Sequence, residues 1–448
     1  MFQNKIPAIR IVNLLTIVFS VVVYSLFSSM HSISALSVSV PDLTYQRLSR
    51  NTITESDSQN PTDTDKKQLS LEAEGKNRDF LGDSKSAKEG TPLYSPYLRM
   101  GYKDGLYLET ADNRFSLKAS LRLQLRYEID DFEDKDDTSA FTIRRGRVAL
   151  KGNALGDLFS YFFQLDAHST GKQSEISTLQ LIDYYTDINV IPFAQIRLGQ
   201  GRVPSNRQWI TPDSKLQMVD FSVASSEFNL GRHLGIMAHE EFFDKKLEYN
   251  LGIYTGYYDL FDGDYRDNNE WLGIVRVSYN PFGPFGYSES DVEFSESPVL
   301  HVSGSASFNS KEDVSFNLKR GGKVTSDNVE STLLVQETGF KYRGFSVLEE
   351  FYLRRRSFLD ERVTDLGWFV QGGYFIKPKK IELTLRYSQI HFDNDRKEER
   401  TDEGTLGVNY FFSGHNYKVQ FNAVRLYRDT VSDESTDYKF LLQFQFKL

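Results

Sequence analysis

The chain has no cysteine among its 448 residues. That excludes disulfides, thiolate metal sites and cysteine nucleophiles together, and with them a lipoprotein anchor, whose chemistry acylates a cysteine. In a chain that crosses an oxidising compartment, lacking thiols also avoids mispairing. Tryptophan is scarce at 3, and no long apolar run follows the N-terminal segment, so a helical membrane protein is excluded beyond it. An excess of basic charge is missing as well. Lys and Arg total 53 against 62 Asp and Glu, a formal charge of -9, which argues against a general nucleic-acid binder.

Catalytic signatures are equally thin. His239-Glu240 lacks the second histidine of a zinc protease helix, and no G-x-S-x-G elbow occurs. Gly304-Ser305 sits in an alternating strand, and Gly199-Gln200-Gly201 opens no helix, so neither a hydrolase turn nor a dinucleotide loop is present. Asp259, Asp262, Asp264 and Asp267 crowd one predicted loop, and Asp130, Asp131, Glu133, Asp134, Asp136 and Asp137 another. Neither cluster follows the EF-hand spacing, and solvated acidic loops are commoner than cation sites. The expectation is a protein with no enzymatic activity, no cofactor and no metal.

What the chain does have is aromatic residues, 34 Phe and 25 Tyr, in a sequence of low mean hydropathy (-0.46). That combination suits strands with one face toward lipid and the other toward water. Residues 1–35 read as a cleaved secretory signal: Lys5 and Arg10, the apolar run Ile11 to Phe27, then small residues from Ser28 to Ala35. An uncleaved anchor helix is the alternative reading. Residues 36–100 are polar without sustained period and read as a flexible periplasmic extension.

Residues 101–448 read as strands. Phe115, Leu117, Ala119, Leu121, Leu123, Leu125, Tyr127 and Ile129 alternate with Ser116, Lys118, Ser120, Arg122, Gln124, Arg126 and Glu128. A period of two this long exceeds the usual soluble strand of about five or six residues and suits a bilayer crossing of about nine to eleven. The pattern recurs at Leu247 to Tyr257, Trp271 to Tyr279, Leu366 to Ile376, and Tyr438 to the final Leu448. Between strands, long polar loops alternate with short turns. Val203 to Gly231 and Asn309 to Glu330 read as long; Tyr342-Arg343-Gly344, Lys377-Pro378-Lys379 and Ser413-Gly414-His415-Asn416 read as tight. Asn280 to Ser297 departs from the rule, being a short-side turn of unusual length. The alternation predicts an all-β transmembrane antiparallel barrel of about 16 strands, wide enough for an aqueous channel.

Parity then assigns side chains to the lumen: Arg122 and Arg126 on the first strand, Arg145, Arg147 and Lys151 on the second, then Arg197, Arg276 and Arg386. Basic groups in a water-filled lumen would concentrate anions. The same parity turns Glu128, Asp166, Asp183, Asp187 and Glu382 inward, where they would pair with those cations and only keep the lumen hydrated.

From about Gly105 to the end, the chain resembles the phosphate-selective porin O and P family. The carrying residues are Gly105-Leu106-Tyr107-Leu108-Glu109-Thr110-Ala111-Asp112-Asn113-Arg114-Phe115, Ile143-Arg144-Arg145-Gly146-Arg147-Val148, Leu198-Gly199-Gln200-Gly201-Arg202-Val203-Pro204, Gly231-Arg232-His233-Leu234-Gly235, Tyr279-Asn280-Pro281-Phe282-Gly283 and Val370-Gln371-Gly372-Gly373-Tyr374-Phe375. The resemblance implies a trimeric sixteen-stranded porin whose third loop folds inward. Val203 to Gly231 falls where that loop belongs, which makes Arg207 and Lys215 selectivity candidates if it does; a surface loop is the alternative. The terminal strand also resembles the signal read by the barrel-assembly machinery, although Leu448 replaces the usual final aromatic residue. The expected function is passive diffusion of small hydrophilic solutes across the bacterial outer membrane, with a preference for anions such as phosphate. The expected partners are outer-membrane lipid and further copies of the chain in a homotrimer, and no nucleic acid. The rivals are a surface adhesin or structural barrel with ligand-binding loops, a barrel protease or phospholipase, and a soluble sandwich.

Overall fold

A computed structural model of the chain describes residues 93–94, 98–133, 136–167, 179–255, 271–317, 323–358, 361–392, 399–430 and 434–448. The expected signal segment, most of the polar extension and the acidic loop around Asp259 to Asp267 lie outside the described residues. Sixteen antiparallel strands close into a barrel. In chain order they are β1 Ser116–Asp131, β2 Thr138–Ala154, β3 Phe159–Ala167, β4 Leu179–Ile191, β5 Ala194–Arg202, β6 Arg232–Phe242, β7 Leu247–Thr255 and β8 Trp271–Tyr279. The second half comprises β9 Val299–Asn317, β10 Lys323–Tyr342, β11 Phe345–Phe358, β12 Glu361–Lys377, β13 Ile381–Phe392, β14 Glu399–Ser413, β15 Tyr417–Asp429 and β16 Glu434–Lys447.

Closure is made by β16 on β1, with Phe446 opposite Leu123 and Phe440 opposite Ile129. Leu448 seals the ring through two backbone bonds with Leu121, of 3.0 and 2.8 Å. Below that seam β1 keeps a partner: the short strand Leu106–Thr110 pairs with Ser116 to Ala119, and Leu98–Tyr102 pairs with it in turn. The last residues of the expected flexible extension are therefore strand. Each of the sixteen strands is paired on both sides, so the ring has no open edge, as a structure surrounded by lipid requires.

Alternation decides the two faces. Leu121, Leu385 and Leu406 are 46%, 60% and 63% exposed on the outside, while Gln124 and Asn409 are fully buried inside. Bulges break strict parity at several points. A register shift after Gln124 lets Ile143 face out beside Leu125 although Arg145, two residues on, faces in. A second after Gln164 does the same for Leu181 and Asp183. An inserted residue flips every later side chain, so a bulge resets the face code. One outward position is anomalous. Glu349 of β11 stands opposite Thr338 on the outer surface, next to Gln336, whose amide donates to the Thr338 hydroxyl at 2.8 Å.

The short turns share one end and the long loops the other. Arg343 and Gly344, both with positive φ (47° and 82°), form the two-residue turn between β10 and β11 that right-handed strand twist favours. The stretch Asn309 to Glu330, expected as a long loop, is mostly strand. β9 and β10 stay paired, with register shifts on either side of Glu312, through Glu312–Val329 to Asn317–Lys323, so the hairpin runs on past the last pairs with its neighbours.

Candidate functional site in the lumen

The segment between β5 and β6 turns into the barrel. Its mouth is tied by the Val203 amide donating to the Gly231 carbonyl at 3.0 Å, so the intervening residues leave and return at one point of the wall. Three short helical pieces follow the local sequence: α1 Arg207–Ile210, a 3-10 turn Asp213–Lys215 behind Pro212, and α2 Val223–Phe228. The Ser222 hydroxyl caps α2, accepting from the Ser225 amide at 3.0 Å.

One side of this inner loop lies on the wall from β10 to β15. Acidic side chains of the wall take up backbone amides that the loop's short helices leave unpaired. Glu337 accepts from the Arg207 amide at 3.0 Å, Glu350 from Gln208 at 2.6 Å and Glu403 from Val223 at 2.8 Å. Asn422 receives Val219 at 2.7 Å, and the Gln217 amide group donates to Glu382 at 2.7 Å. Below α2, Phe228 stacks on Tyr352 with ring centres 5.2 Å apart, inside an apolar cluster with Leu333, Leu348, Phe369 and Ile390. Gly367 permits this approach: a β-carbon there would lie 2.3 Å from the Phe228 ring.

The other side faces β1, β2 and β5. Arg122, Arg145, Arg147 and Arg202 all converge on the Asp213 carboxylate; Arg202 reaches it at 2.7 Å, Arg145 at 3.6 Å and Arg122 at 3.9 Å. Arg147 also holds Asp166 at 2.9 Å. Burial alone would raise the Asp213 pKa, but the four guanidiniums overcome it and hold the carboxyl well below its ordinary value. Asp220 is depressed in the same way: Arg126, at 2.7 Å, with Arg144 and Arg145 outweighs its burial.

The unusually long short-end turn also folds inward. Glu289, Ser290 and Asp291 are buried; Glu289 accepts from the Gln217 amide at 2.7 Å, and Ser290 donates to Glu382 at 2.8 Å. The inner loop thus rests on a second inserted segment, which accounts for the break in the loop pattern. Arg207 is tied into this contact. Its guanidinium donates to the Gly286 carbonyl, lies 4.1 Å from the Tyr287 ring centre and is nearly buried, so it does not face open lumen. Lys215 is half-exposed, with no ion pair among the described residues.

The remaining parity assignments differ in what holds each cation. Arg276 is enclosed and paired to Glu337 at 2.7 Å, and Arg386 pairs with Glu403 and donates to the loop carbonyls of Asp220 and Phe221. These two hold structure. Arg197 is bidentate to Asp187 at 2.7 and 2.9 Å yet stays half-exposed. Arg122, Arg126, Arg145 and Arg147 form the wall opposite the loop. Lys151 is exposed and stands in register with Lys118, and neither has an ion-pair partner among the described residues. Together with Tyr107, Glu109, Asn153, Tyr161, Tyr185 and Asp187 they line a cavity of about 460 Å³ at the short-turn end. Sequence reasoning passed over Lys118, which lies on the same inward row as Arg122. It also passed over Glu337 and Glu350, whose importance depends on a loop arriving from 130 or more positions away.

The comparisons agree with this geometry. Three solved structures share the fold. The anion-selective porin of Comamonas acidovorans is 12% identical, covering 74% of this chain and 100% of that one, with a TM-score of 0.51. The outer-membrane channel DcaP of Acinetobacter baumannii is 11% identical, covering 76% and 99%, at 0.51. OmpT of Vibrio cholerae, an outer-membrane protein in trimer form, is 14% identical, covering 74% and 99%, at 0.50. The family described as phosphate-selective porin O and P matches residues 278–448, from the end of β8 through β16.

Proposed function

We propose that the chain lets small hydrophilic solutes diffuse across the outer membrane through the lumen beside its inner loop, and that anions such as phosphate pass in preference to cations. The observation that carries this reading is uncompensated positive charge on the wall from β1 to β5. Four guanidiniums share Asp213; Arg147 also holds Asp166 and Arg145 also reaches Asp220 at 4.0 Å, which leaves Arg122 and Arg202 with Asp213 alone. Lys118 and Lys151 then face one another across β1 and β2. Like charges directly opposite are unfavourable unless a mobile anion sits between them. Inside a low-dielectric wall that field raises the local anion concentration.

The wider setting belongs to the same proposal. The chain is exported by a cleaved signal over residues 1–35, carries a periplasmic extension over 36–100, is inserted by the barrel-assembly machinery and works as a homotrimer. The trimer form of the Vibrio cholerae relative supports the last point. Reversal potentials in planar bilayers under a KCl gradient test the ion preference. Wild type should favour chloride, and the double variant Lys118→Gln/Lys151→Gln should lose part of that bias. A reversal favouring potassium in the wild type would overturn the anion reading and leave the barrel untouched.

A further inference from the structure

Glu349 apart, the outward rows from β11 to β15 are largely apolar from the short-turn end upward, and on four of them an arginine stands in the half nearer the long loops. On β15 the row runs Tyr417, Val419, Phe421, Ala423 and then Arg425. On β11 it passes Phe351 and Leu353 to Arg355, and on β12 Leu366 and Thr364 to Arg362. On β14 Arg400 follows Asp402, beside His391 of β13. All four arginines are exposed. Among the described residues Arg355, Arg362 and Arg425 have no ion pair. Arg400 is ion-paired to Asp402 at 2.6 Å, a carboxylate that also accepts from the Tyr387 hydroxyl at 2.7 Å and from Gln389 at 2.6 Å. Of the other acids on this face, Asp429 stands directly opposite Arg400, Glu434 opposite Asp429, Glu330 opposite Ser357, and Glu349 lies on the row of Arg355 nearer the short turn.

The arrangement is one-sided. The outward rows of β16, β1, β3, β7 and β8 carry no cation among the described residues. An arginine at the edge of the hydrocarbon lays its stem along apolar side chains and keeps its head at the headgroup level. There the planar guanidinium fork matches phosphate oxygens. An occupant that meets the whole arc has phosphates at that level and acyl chains to lie on Leu353, Leu366 and Phe421 beneath it. Free phosphate has no such chains.

We propose that the outward face from β11 to β15 binds the phosphorylated headgroup of an outer-leaflet glycolipid through Arg355, Arg362, Arg400 and Arg425. The proposal rests on reading the chain as an outer-membrane barrel with its long loops outside. The test uses the full chain refolded into phosphatidylcholine vesicles and titrated with diphosphoryl lipid A, dephosphorylated lipid A or inorganic phosphate. Binding is read as the rise in the temperature at which the compact barrel band is lost on a gel. A rise is expected with the diphosphoryl lipid alone. The variant Arg355→Gln/Arg362→Gln/Arg400→Gln/Arg425→Gln should weaken lipid retention by at least about tenfold, equivalent to losing one charge-assisted hydrogen bond. Lys377→Gln/Lys379→Gln at the opposite rim should leave it unchanged. If the fourfold variant fails to fold, Arg355→Gln/Arg425→Gln is scored instead, by glycolipid retained in native mass spectrometry. Equal rises with the dephosphorylated lipid or with inorganic phosphate, or full retention in the arginine variants, would overturn the proposal. Conductance of the same vesicles keeps the readings apart. Channels without a phosphate-dependent lipid effect sink this inference alone, and lipid binding without channels sinks the pore.

Discussion

Asp213 is the counter-ion of the lumen wall, and its removal should turn a structural anion site into one for solute. In Asp213→Asn the amide keeps the shape of the side chain while Arg122, Arg145, Arg147 and Arg202 lose their shared negative charge. A unit charge at the 3.6 Å of the Arg145 contact is worth about 4–5 kcal/mol at an effective dielectric constant near 20. Water admitted to the site and dissolved salt reduce that severalfold, leaving about 1–2 kcal/mol in favour of an entering anion. An anion should therefore gain roughly five- to thirtyfold in occupancy. The inner loop should stay in place, because Glu337, Glu350, Glu382 and Glu403 still hold it from the opposite wall. Single-channel recording under a KCl gradient is the assay, with phosphate added as a blocker of chloride current. The expected result is a reversal potential shifted toward chloride and stronger block by phosphate. A reversal potential that stays put, or moves toward potassium, would refute the reasoning. A large rise in conductance without a change in selectivity would show instead that Asp213 serves chiefly as a latch.

Other consequences concern the loop and the outer surface. Phe228→Ala should remove about 3–5 kcal/mol of packing from α2, seen as higher conductance and protease cleavage near residues 223–228 while the barrel still runs as a compact band. Asp213 and Asp220 are depressed by their arginines, so their contribution to docking is full above the ordinary carboxylate pKa and is lost only as pH falls through the lower folded values. Channel conductance should accordingly be flat from neutral pH down to about 4 and change below it; a step near pH 6 would point to other groups. Glu349→Leu should stabilise the barrel by about 1–2 kcal/mol in urea unfolding from vesicles, if lipid covers that carboxyl. A loss of stability would place a protein neighbour there.

How much was legible in the sequence varies with the kind of interaction. Alternation is local, so the apolar row Leu121 to Ile129 and the inward row Arg122 to Glu128 could be read without any partner strand. Loop spacing gave the strand number, because each crossing needs a minimum length and each return needs a turn. Glu337 and Glu350 were not legible. Their role lies in accepting amides from Arg207 and Gln208, and nothing local marks that contact.

By itself, then, the chain determined an outward lipid face, an inward polar face and a count of crossings, since a two-residue period and bilayer thickness act on neighbouring residues. The tertiary structure alone decided which inward cations are spent. Arg276 and Arg386 are neutralised by Glu337 and Glu403, and Arg207 is turned away against Tyr287, while Lys118 and Lys151 are left facing water. Pairing in a lumen depends on which distant strand or loop brings a carboxylate within a few ångströms, and that distance is fixed only when the ring closes and the inner loop folds into it.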